Sequence, residues 1–424
     1  MTPRVTSEFL LVGSLPADSA EEALRSGGEL FGDLVFALPD GETGPRRLWV
    51  GLEREQLFRP HPEIDVVQDT ESPDRVPKHA NDVPIFQVRE GVRELTFERW
   101  PRIDYAIESY EVFRQLKADG TIPSHVRFQV SLPFPTSVLH AFKADFAHDH
   151  AIVAPAFEDL VARELVRLTE AIPPSELALQ WDLCHEVLNL EDTVTWMPSD
   201  DAWERFTGPV TRLARLVPEE ALLGYHLCYG TFPEWPLYEA RDLALLVRMA
   251  NFAVAESGRT VDWLHLAGPR FWRSDDERFF APLTELDIGD TRLFLGIVLL
   301  LDGIPGFKRR HATASKILSA PASQDRHIEL SDMQRALMHL PQPQREALIL
   351  VGAGGFAYEE AADICGCAVG TIKSRVARGR VALESLLSSG KLPSRRQHRT
   401  DPDKSALQTI MNEVDDLSRD HDPT

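Results

Sequence analysis

One stretch near the carboxyl end combines residues that could read nucleic acid. Thr371, Ser374, Arg375 and Arg378 stand at positions i, i+3, i+4 and i+7, and residues at this spacing share one face of an α-helix. Guanidinium groups can bond guanine edges or phosphates, and hydroxyls can bond backbone oxygens, which is what a helix in the major groove requires. The alternative is a basic helix face that only meets solvent.

The charge of the chain is unevenly distributed around this stretch. The sequence of 424 residues has a formal net charge of −21, which opposes nonspecific attachment to nucleic acid. From residue 368 to residue 399, however, eight lysines and arginines accompany a single acid, Glu384. A local basic stripe is therefore retained in an acidic chain.

A second set of polar residues follows apolar runs in the amino-terminal three quarters of the chain. These residues are Ser14, Asp40 and Glu42, Asp182, and the pair His226 and Cys228. Barrel enzymes place their chemistry at the carboxyl ends of parallel strands, so this alignment predicts a small-molecule site. The alternative is that Asp40, Glu42 and Asp182 cap helices or pair with arginines at the rim.

Eight short apolar runs, separated by helix-like stretches, must position these polar residues. They cover residues 9–13, 34–38, 85–88, 126–131, 178–182, 222–226, 262–266 and 293–297. Eight such runs predict an α/β fold, a (β/α)8 TIM-type barrel with insertions. The stretch 59–81 is rich in proline and charge and has no clear periodicity, so we interpret it as a loop over the barrel mouth.

A small all-α helix-turn-helix domain is predicted after the barrel. Helical patterns recur at residues 330–339, 343–351, 357–365 and 368–387, and Gly366 falls in the turn before the last. Residues 319–324 are small, polar and contain proline, as linkers do. We therefore place the barrel at 1–318, the linker at 319–326, the helix-turn-helix domain at 327–390 and a tail at 391–424, which is either disordered or a short partner-binding helix.

Composition excludes several classes of protein. Apolar residues make up 43% of the chain and charged residues 26%, which is typical of a globular protein. The sequence has neither the pattern of a signal peptide nor an apolar run long enough to span a bilayer. The four cysteines, Cys184, Cys228, Cys365 and Cys367, are too few for a disulfide framework. We expect a cytoplasmic protein with no membrane partner.

The carboxyl-terminal segment resembles region 4 of sigma-70 factors, specifically the extracytoplasmic-function group and its general-stress-response members. The matching residues are Leu337, Leu340-Pro341, Arg345-Glu346-Ala347, Tyr358-Glu359-Glu360-Ala361-Ala362 and Gly370-Thr371-Ile372-Lys373-Ser374-Arg375. The resemblance implies that the last helix reads a promoter −35 element, with Lys373, Ser374, Arg375 and Arg378 on DNA. It also implies contact with the flap of core RNA polymerase and an anti-sigma factor as a further partner.

One part of that family is missing from the predicted organisation. Complete sigma factors carry a region 2 ahead of this domain, which binds core polymerase and melts the −10 element. No such segment precedes Ser319 in the sequence. We therefore expect that the chain alone does not open promoters as a complete sigma factor does.

The amino-terminal part resembles cobalamin-independent methionine synthase and related barrels. The matching pieces are Val12-Gly13-Ser14-Leu15-Pro16, Asp40-Gly41-Glu42, Leu179-Gln180-Trp181-Asp182, His226-Leu227-Cys228, and Leu295-Gly296 with Asp302-Gly303. The resemblance implies that Ser14, Glu42 and Asp182 hold an amino-acid substrate. It further implies that His226 and Cys228 are zinc ligands, zinc being the cofactor that activates a substrate thiol in that family.

The zinc site implied by this resemblance is incomplete. The family adds a glutamate after the seventh strand and a cysteine after the eighth, and this sequence has Leu264-His265-Leu266-Ala267 and Leu300-Leu301-Asp302-Gly303 there. His265 could be a third ligand or simply a hydrogen-bonded histidine of the barrel. The sequence therefore leaves open whether the barrel is an enzyme.

Three interpretations of the whole chain follow. The first is a DNA-binding transcription-initiation regulator whose barrel binds a small molecule. The second is a zinc-dependent thiol methyltransferase-like enzyme with an appended helix-turn-helix. The third is an artefactual fusion of two neighbouring genes. The basic face around Arg375 favours the first.

Overall fold

The chain forms two compact units, residues 1–297 and residues 298–424. The computed structural model describes residues 9–73, 75–77, 82–194, 197–230, 240–268, 276–298, 303–318, 337, 339–353 and 356–388. The predicted linker at 319–326 and the predicted tail at 391–424 lie outside these residues. The domain boundary at residue 318 therefore stays a prediction.

The first unit is built on a parallel sheet of six strands in the order β1-β4-β5-β6-β7-β8. These strands are β1 (Ala37–Pro39), β4 (Arg127–Pro133), β5 (Leu177–Leu183), β6 (Leu222–Leu227), β7 (Trp263–Ala267) and β8 (Arg292–Gly296). Every residue of β5 and β7 is buried. Strands covered on both faces are expected in a parallel sheet, because the connecting helices pack against it.

Helices connect most of these strands. In chain order they are α1 (Ala20–Phe31), α2 (Gly51–Glu53), α3 (Pro101–Ala118), α4 (Pro135–Leu139), α5 (Phe146–Ala171), α6 (His185–Leu190), α7 (Ala202–Ala214), α8 (Ala244–Glu256) and α9 (Glu277–Phe280). Local sequence sets several of their starts. Ser19 accepts a hydrogen bond from the backbone N–H of Glu22, and Asp145 accepts one from His148, which satisfies amide groups that a helix start leaves unpaired.

The parallel sheet is curled. Phe36, next to the edge strand β1, has its ring centroid 5.2 Å from that of Trp263 on β7 and 5.9 Å from that of Phe294 on β8. The guanidinium of Arg292 on β8 also lies 4.0 Å from the Phe36 ring centroid. The two edges of the sheet therefore approach each other. The architecture is mixed α/β with a curled parallel sheet.

Two of the eight predicted strands differ from the prediction. Residues 85–88 form β3 (Ile85–Val88), but β3 pairs antiparallel with β2 (Ile64–Gln68) in a separate sheet. The prediction of a parallel barrel strand there was wrong. The stretch 59–81, interpreted as a loop, contains β2, the partner strand of β3. This strand was not predicted because most of its residues are partly or fully exposed and do not form an apolar run.

The run at residues 9–13 is held to the sheet by side chains instead of a strand ladder. Ser14 makes one parallel bridge with Gly41. The carbonyl oxygen of Val12 accepts hydrogen bonds from Gln129 Nε2 at 2.8 Å, Ser131 Oγ at 3.1 Å and Gln180 Nε2 at 2.7 Å. The side chains of Gln129 and Ser131 on β4 and of Gln180 on β5 thus hold in place the segment that carries Ser14.

The second unit contains four described helices: α10 (Gly303–Leu318), α11 (Gln342–Leu348), α12 (Tyr358–Ile364) and α13 (Val369–Ser388). The last three confirm the predicted helices at 343–351, 357–365 and 368–387. Residues 330–336 and 338 of the other predicted helix lie outside the described residues. Leu337, Leu340 and Ile349 form a buried cluster. No described helix has the length and apolar content to cross a membrane.

Candidate functional sites

The turn between α12 and α13 is closed by backbone geometry. Gly366 has φ +59°, a left-handed conformation in which a side chain would be strained. The N–H of Cys367 then donates to the carbonyl of Ala362 at 3.0 Å. Ile372 and Val376 of α13 are buried, as are Ala361 and Ala362 of α12. Ile372 and Val376 thus form an apolar stripe that packs α13 on the helix before it.

The opposite face of α13 presents the predicted DNA-binding side chains. Lys373, Ser374 and Arg378 are exposed, and Thr371 and Arg375 are partly exposed. Each cation has an internal partner. Lys373 Nζ lies 5.3 Å from the centroid of the Tyr358 ring, Arg378 Nη2 donates to Ser374 Oγ at 2.7 Å, and Arg375 Nη1 donates to Cys367 Sγ at 3.6 Å.

These contacts orient the cations and leave the face accessible. A surface of guanidinium, ammonium and hydroxyl groups on one exposed helix can bond phosphates and base edges. Thr371, Ser374, Arg375 and Arg378 thus share one face of α13, and the exposed Lys373 projects from another side of the same helix. Their role on DNA stays a prediction.

In the first unit, Ser14 and Glu42 are joined directly. Ser14 Oγ donates to Glu42 Oε2 at 2.6 Å. Glu42 has φ +49°, which is uncommon outside glycine and typical of sites where geometry is under constraint. Its neighbour Asp40 forms a buried ion pair with Arg46, with Nη1 at 2.7 Å from Oδ2. Asp40 therefore follows the alternative interpretation, a carboxylate paired with an arginine.

Arg102, which the sequence analysis did not single out, is the buried cation of this region. It bonds Glu53 through Nε at 2.8 Å and Nη2 at 2.9 Å, and Trp100 Nε1 also donates to Glu53 at 2.9 Å. Its Nη1 lies 3.8 Å from Glu42 Oε1. That Glu42 oxygen is buried and has no hydrogen-bond partner among the described residues. Burial raises the pKa of Glu42, while Arg102 and the Ser14 bond oppose this.

These residues line a small polar pocket. Asp40, Glu42, Arg46 and Arg102 share it with Gln129 and Ser131 of β4. Gln129 Oε1 and Arg46 Nε are also buried without hydrogen-bond partners among the described residues. Buried polar atoms in a folded protein are nearly always satisfied. The pocket has room for about one water-sized molecule, and its three unsatisfied polar atoms offer that molecule hydrogen bonds.

Asp182 ends β5 beside this region. Gln180 Nε2 donates to Asp182 Oδ1 at 2.8 Å. Burial raises the pKa of Asp182 to about 7, and Glu42 acts in the same direction, while His226 opposes it. The three residues predicted to hold an amino acid are thus electrostatically connected, although their role as a substrate site stays a prediction.

His226 and Cys228, the predicted zinc ligands, also lie together. Burial disfavours the charged imidazole of His226, but Cys228, Asp182 and Glu42 outweigh it and raise its pKa to about 9. A hydrogen bond from Cys184, together with His226, holds the pKa of Cys228 well below its ordinary value, although burial opposes this. The imidazole of His226 and the sulfur of Cys228 therefore each favour the charged form of the other.

As arranged, these groups do not form a metal site. His226 Nδ1 lies 2.7 Å from His265 Nδ1 in a hydrogen bond, whereas two nitrogens bound to one tetrahedral zinc would be about 3.3 Å apart. In the described part of the chain, no group of three or more His, Cys, Asp or Glu side chains could hold a metal ion. Zinc binding at His226 and Cys228 therefore stays a prediction.

Sequence reasoning missed two functional candidates besides Arg102. Cys184 adjoins Cys228, and Gln180 bonds both Val12 and Asp182. The signal that could have indicated Cys184 is its position along β5. In the parallel register of β5 and β6, Asp182 pairs with His226 and Leu183 with Leu227. Continuing that register by one residue places Cys184 opposite Cys228. Arg102 gave no comparable signal, because its partners are 49 and 60 residues away.

Comparison with known proteins identifies the carboxyl-terminal segment. Residues 330–383 match the family model described as Sigma-70, region 4. A 73-residue stretch, 17% of this chain, is 60% identical to the ECF RNA polymerase sigma factor EcfG of Rhodopseudomonas palustris (strain TIE-1) and covers 40% of that protein. A 63-residue stretch, 14% of this chain, is 48% identical to the probable RNA polymerase sigma-C factor of Mycobacterium bovis and covers 34% of it.

A third relative gives the same result. The ECF RNA polymerase sigma factor SigM of Mycobacterium tuberculosis (strain ATCC 25618 / H37Rv) is 47% identical over 55 residues, 13% of this chain and 28% of that protein. The chain thus spans less than half the length of each of these relatives. The resemblance of the first unit to methionine synthases stays a prediction. The predicted sigma-70 region 4 segment is confirmed at residues 330–383.

Proposed function

We propose that this chain is a DNA-binding regulator of transcription initiation that reads a promoter −35 element through α13. The observation that carries the proposal is the set of exposed or partly exposed side chains Lys373, Ser374, Arg375 and Arg378 on α13, within a segment that matches sigma-70 region 4. The three relatives are named as RNA polymerase sigma factors. Promoter DNA and RNA polymerase are accordingly the proposed partners, the flap being the contact point, with an anti-sigma factor as a further partner.

The proposed roles follow from side-chain chemistry. Arg375, partly exposed and held by Cys367, offers a planar fork suited to a guanine edge. Lys373 and Arg378 are exposed cations suited to phosphates, and the hydroxyl of Ser374 lies between them on the helix. Thr371, near the start of α13, adds a hydroxyl for the backbone.

The test is binding of the purified full chain to a duplex with a stress-type −35 element and to a scrambled duplex, across a salt series. Arg375→Ala is expected to lower affinity for the −35 duplex by about tenfold to a hundredfold, the cost of one bidentate base contact. Arg114→Ala removes an exposed arginine of α3 in the first unit and is the matched control. Equal affinity for both duplexes, or an Arg375→Ala variant that binds like Arg114→Ala, would overturn the proposal.

The first unit, in this proposal, is a methionine-synthase-like barrel that binds a small amino acid-like molecule. The close approach of Phe36 to Phe294 across the curled sheet and the docking of Val12 on β4 and β5 support a closed barrel. The Ser14–Glu42 bond, the unsatisfied Glu42 Oε1 and the buried Arg102 support the ligand. Carboxylates suit an ammonium group, and a guanidinium suits a carboxylate.

The measurement is the thermal midpoint of the full chain with increasing L-homocysteine, L-methionine or glycine. Binding to the folded state raises the midpoint as ligand concentration rises. The rise is expected for homocysteine and is lost in Ser14→Ala, while Glu111→Gln, on the exposed side of α3, retains it. No rise with any of the three amino acids would remove the amino-acid site from the proposal.

The second candidate is a thiol methyltransferase-like enzyme. The low pKa of Cys228 beside the raised pKa of His226 favours it, since thiolates are the reactive form of sulfur. It predicts methyl transfer to a thiol acceptor that disappears in Cys228→Ser. Sequence-selective DNA binding without such activity would favour the regulator.

A further inference from the structure

Cys184 and Cys228 are placed side by side by the sheet. The register of β5 and β6 pairs Asp182 with His226 and Leu183 with Leu227. The backbone N–H of Cys228 continues the ladder by donating to the carbonyl of Leu183 at 3.0 Å. Neighbouring strands lie about 4.8 Å apart, and Cα separations of about 4.4–6.8 Å accommodate a disulfide. The two cysteines therefore lie within bridging range without any change of fold.

Their side chains project from the same face of the sheet, because the register of β5 and β6 continued by one residue sets Cys184 beside Cys228. Both backbones are fixed by further bonds. The N–H of Cys184 donates to Ser137 Oγ at 3.1 Å, and its carbonyl accepts from Leu188 at 3.0 Å. Both are free thiols.

The two thiols differ in access. Cys184 is 1% exposed, whereas Cys228 is partly exposed. An oxidant from solvent therefore meets Cys228 first, and Cys184 is positioned behind it. This is the arrangement of an attacked cysteine with a resolving cysteine.

We propose that Cys184 and Cys228 form a reversible disulfide when the protein meets a peroxide. The Cys228 sulfur attacks one peroxide oxygen, the O–O bond breaks, and one water leaves as Cys228 becomes a sulfenic acid. The Cys184 sulfur then attacks the Cys228 sulfur, the S–O bond breaks, and a second water leaves. Two thiols are oxidised by two electrons, and one hydrogen peroxide is reduced to two waters.

The other two cysteines provide an internal contrast. Cys365 and Cys367 are separated by a single residue at the helix turn, and Cys367 Sγ accepts a bond from Arg375. The disulfide proposal concerns the first unit only and does not depend on DNA binding. Failure of one proposal therefore leaves the other intact.

The test uses the full chain carrying Cys365→Ser and Cys367→Ser, so that Cys184 and Cys228 are the only thiols. The folded protein is treated with equimolar hydrogen peroxide, quenched, unfolded and titrated for thiols, and its peptides are mapped without reductant. We expect both thiols to disappear together, a linked pair of peptides containing Cys184 and Cys228, and full recovery with dithiothreitol.

Two variants separate this proposal from simple oxidation. With Cys184→Ser added, Cys228 has no resolving partner, and at two or more equivalents of hydrogen peroxide it is expected to proceed through the sulfenic acid to sulfinic acid, which dithiothreitol does not reverse. With Cys228→Ser added, Cys184 is expected to keep its thiol. Retention of both thiols after peroxide, or recoverable oxidation of Cys228 that is the same with and without Cys184, would overturn the proposal. A circular dichroism spectrum before treatment confirms that each variant is folded.

Discussion

Arg375 Nη1 donates to the sulfur of Cys367 at 3.6 Å, eight residues earlier in the chain. The contact links the helix turn to the centre of the proposed DNA-reading face. A sulfur acceptor is weak, so the bond limits the orientations of the guanidinium without holding it away from a ligand. The turn cysteine is therefore a positioning residue for the arginine.

Replacing Cys367 tests this relationship. Cys367→Ala is expected to lower affinity for a −35 duplex about twofold to fivefold, the value of about one weak hydrogen bond, whereas Cys367→Ser retains an acceptor and most of the affinity. If Cys367 acts through Arg375, the double variant Cys367→Ala/Arg375→Ala binds no more weakly than Arg375→Ala alone. Additive losses in this cycle would show that Cys367 has a separate effect.

Lys373 is expected to act on phosphate and not on base identity. Its ammonium is exposed and rests beside the Tyr358 ring. Lys373→Ala should weaken binding to the −35 duplex and to the scrambled duplex by the same factor, and should reduce the slope of log affinity against log salt by about one. Loss of discrimination between the two duplexes would instead assign Lys373 to base reading.

Gly224 on β6 is a steric requirement of the first unit. A Cβ at this position would lie 2.0 Å from Trp263 Cε2, and Trp263 is fully buried on the neighbouring strand. Gly224→Ala is expected to destabilise the fold by about 1–3 kcal/mol or more, measured as a lower midpoint of thermal unfolding. The matched control is Gly208→Ala on α7, where the new Cβ meets only the end of the exposed Arg212 side chain and no backbone or buried ring.

The buried carboxyl of Glu186 makes stability depend on pH. Burial raises its pKa to about 7, although hydrogen bonds from Ser137 oppose this, whereas an unfolded glutamate titrates near about 4.3. Between these values the unfolded chain releases the proton and the folded chain keeps it. The free energy of unfolding therefore falls as pH rises through this window.

Glu186→Gln is expected to reduce this fall, measured as the change in thermal midpoint from pH 5 to pH 8. Asp182, whose pKa is also raised to about 7, remains and preserves part of the dependence. Glu21→Gln, at an exposed position of α1, is the control. A pH profile in Glu186→Gln identical to that of the unchanged protein would contradict the assignment.

The carboxyl-terminal helices could be predicted because the signals that specify them are local in sequence. The helices around Gly366 follow from a glycine turn and an apolar stripe at Ile372 and Val376, all within a short stretch of chain. The basic face likewise lies on one helix. Residues at helical spacing share a face whatever contacts the helix makes with distant parts of the chain.

The first unit was predicted less completely because its contacts are distant in sequence. Apolar runs located six strands of the parallel sheet, but periodicity carries no information on which runs pair, so β3 was assigned to the wrong sheet. Glu42 was found from its position after a strand. Arg102 was missed, because its role comes from Glu53, 49 residues away, and from its complete burial.

The docking of Val12 fixes an order of events during synthesis. Its carbonyl bonds Gln180, 168 residues later in the sequence, and Gln129 and Ser131 on β4. The segment leaves the ribosome before these strands, yet the side chains that donate to its carbonyl are not all in place until β5 has emerged and paired with β4. Residues 9–14 therefore cannot complete this docking until the third of the six strands of the sheet has been made, and the segment that carries the serine bonded to Glu42 waits for residues far along the chain.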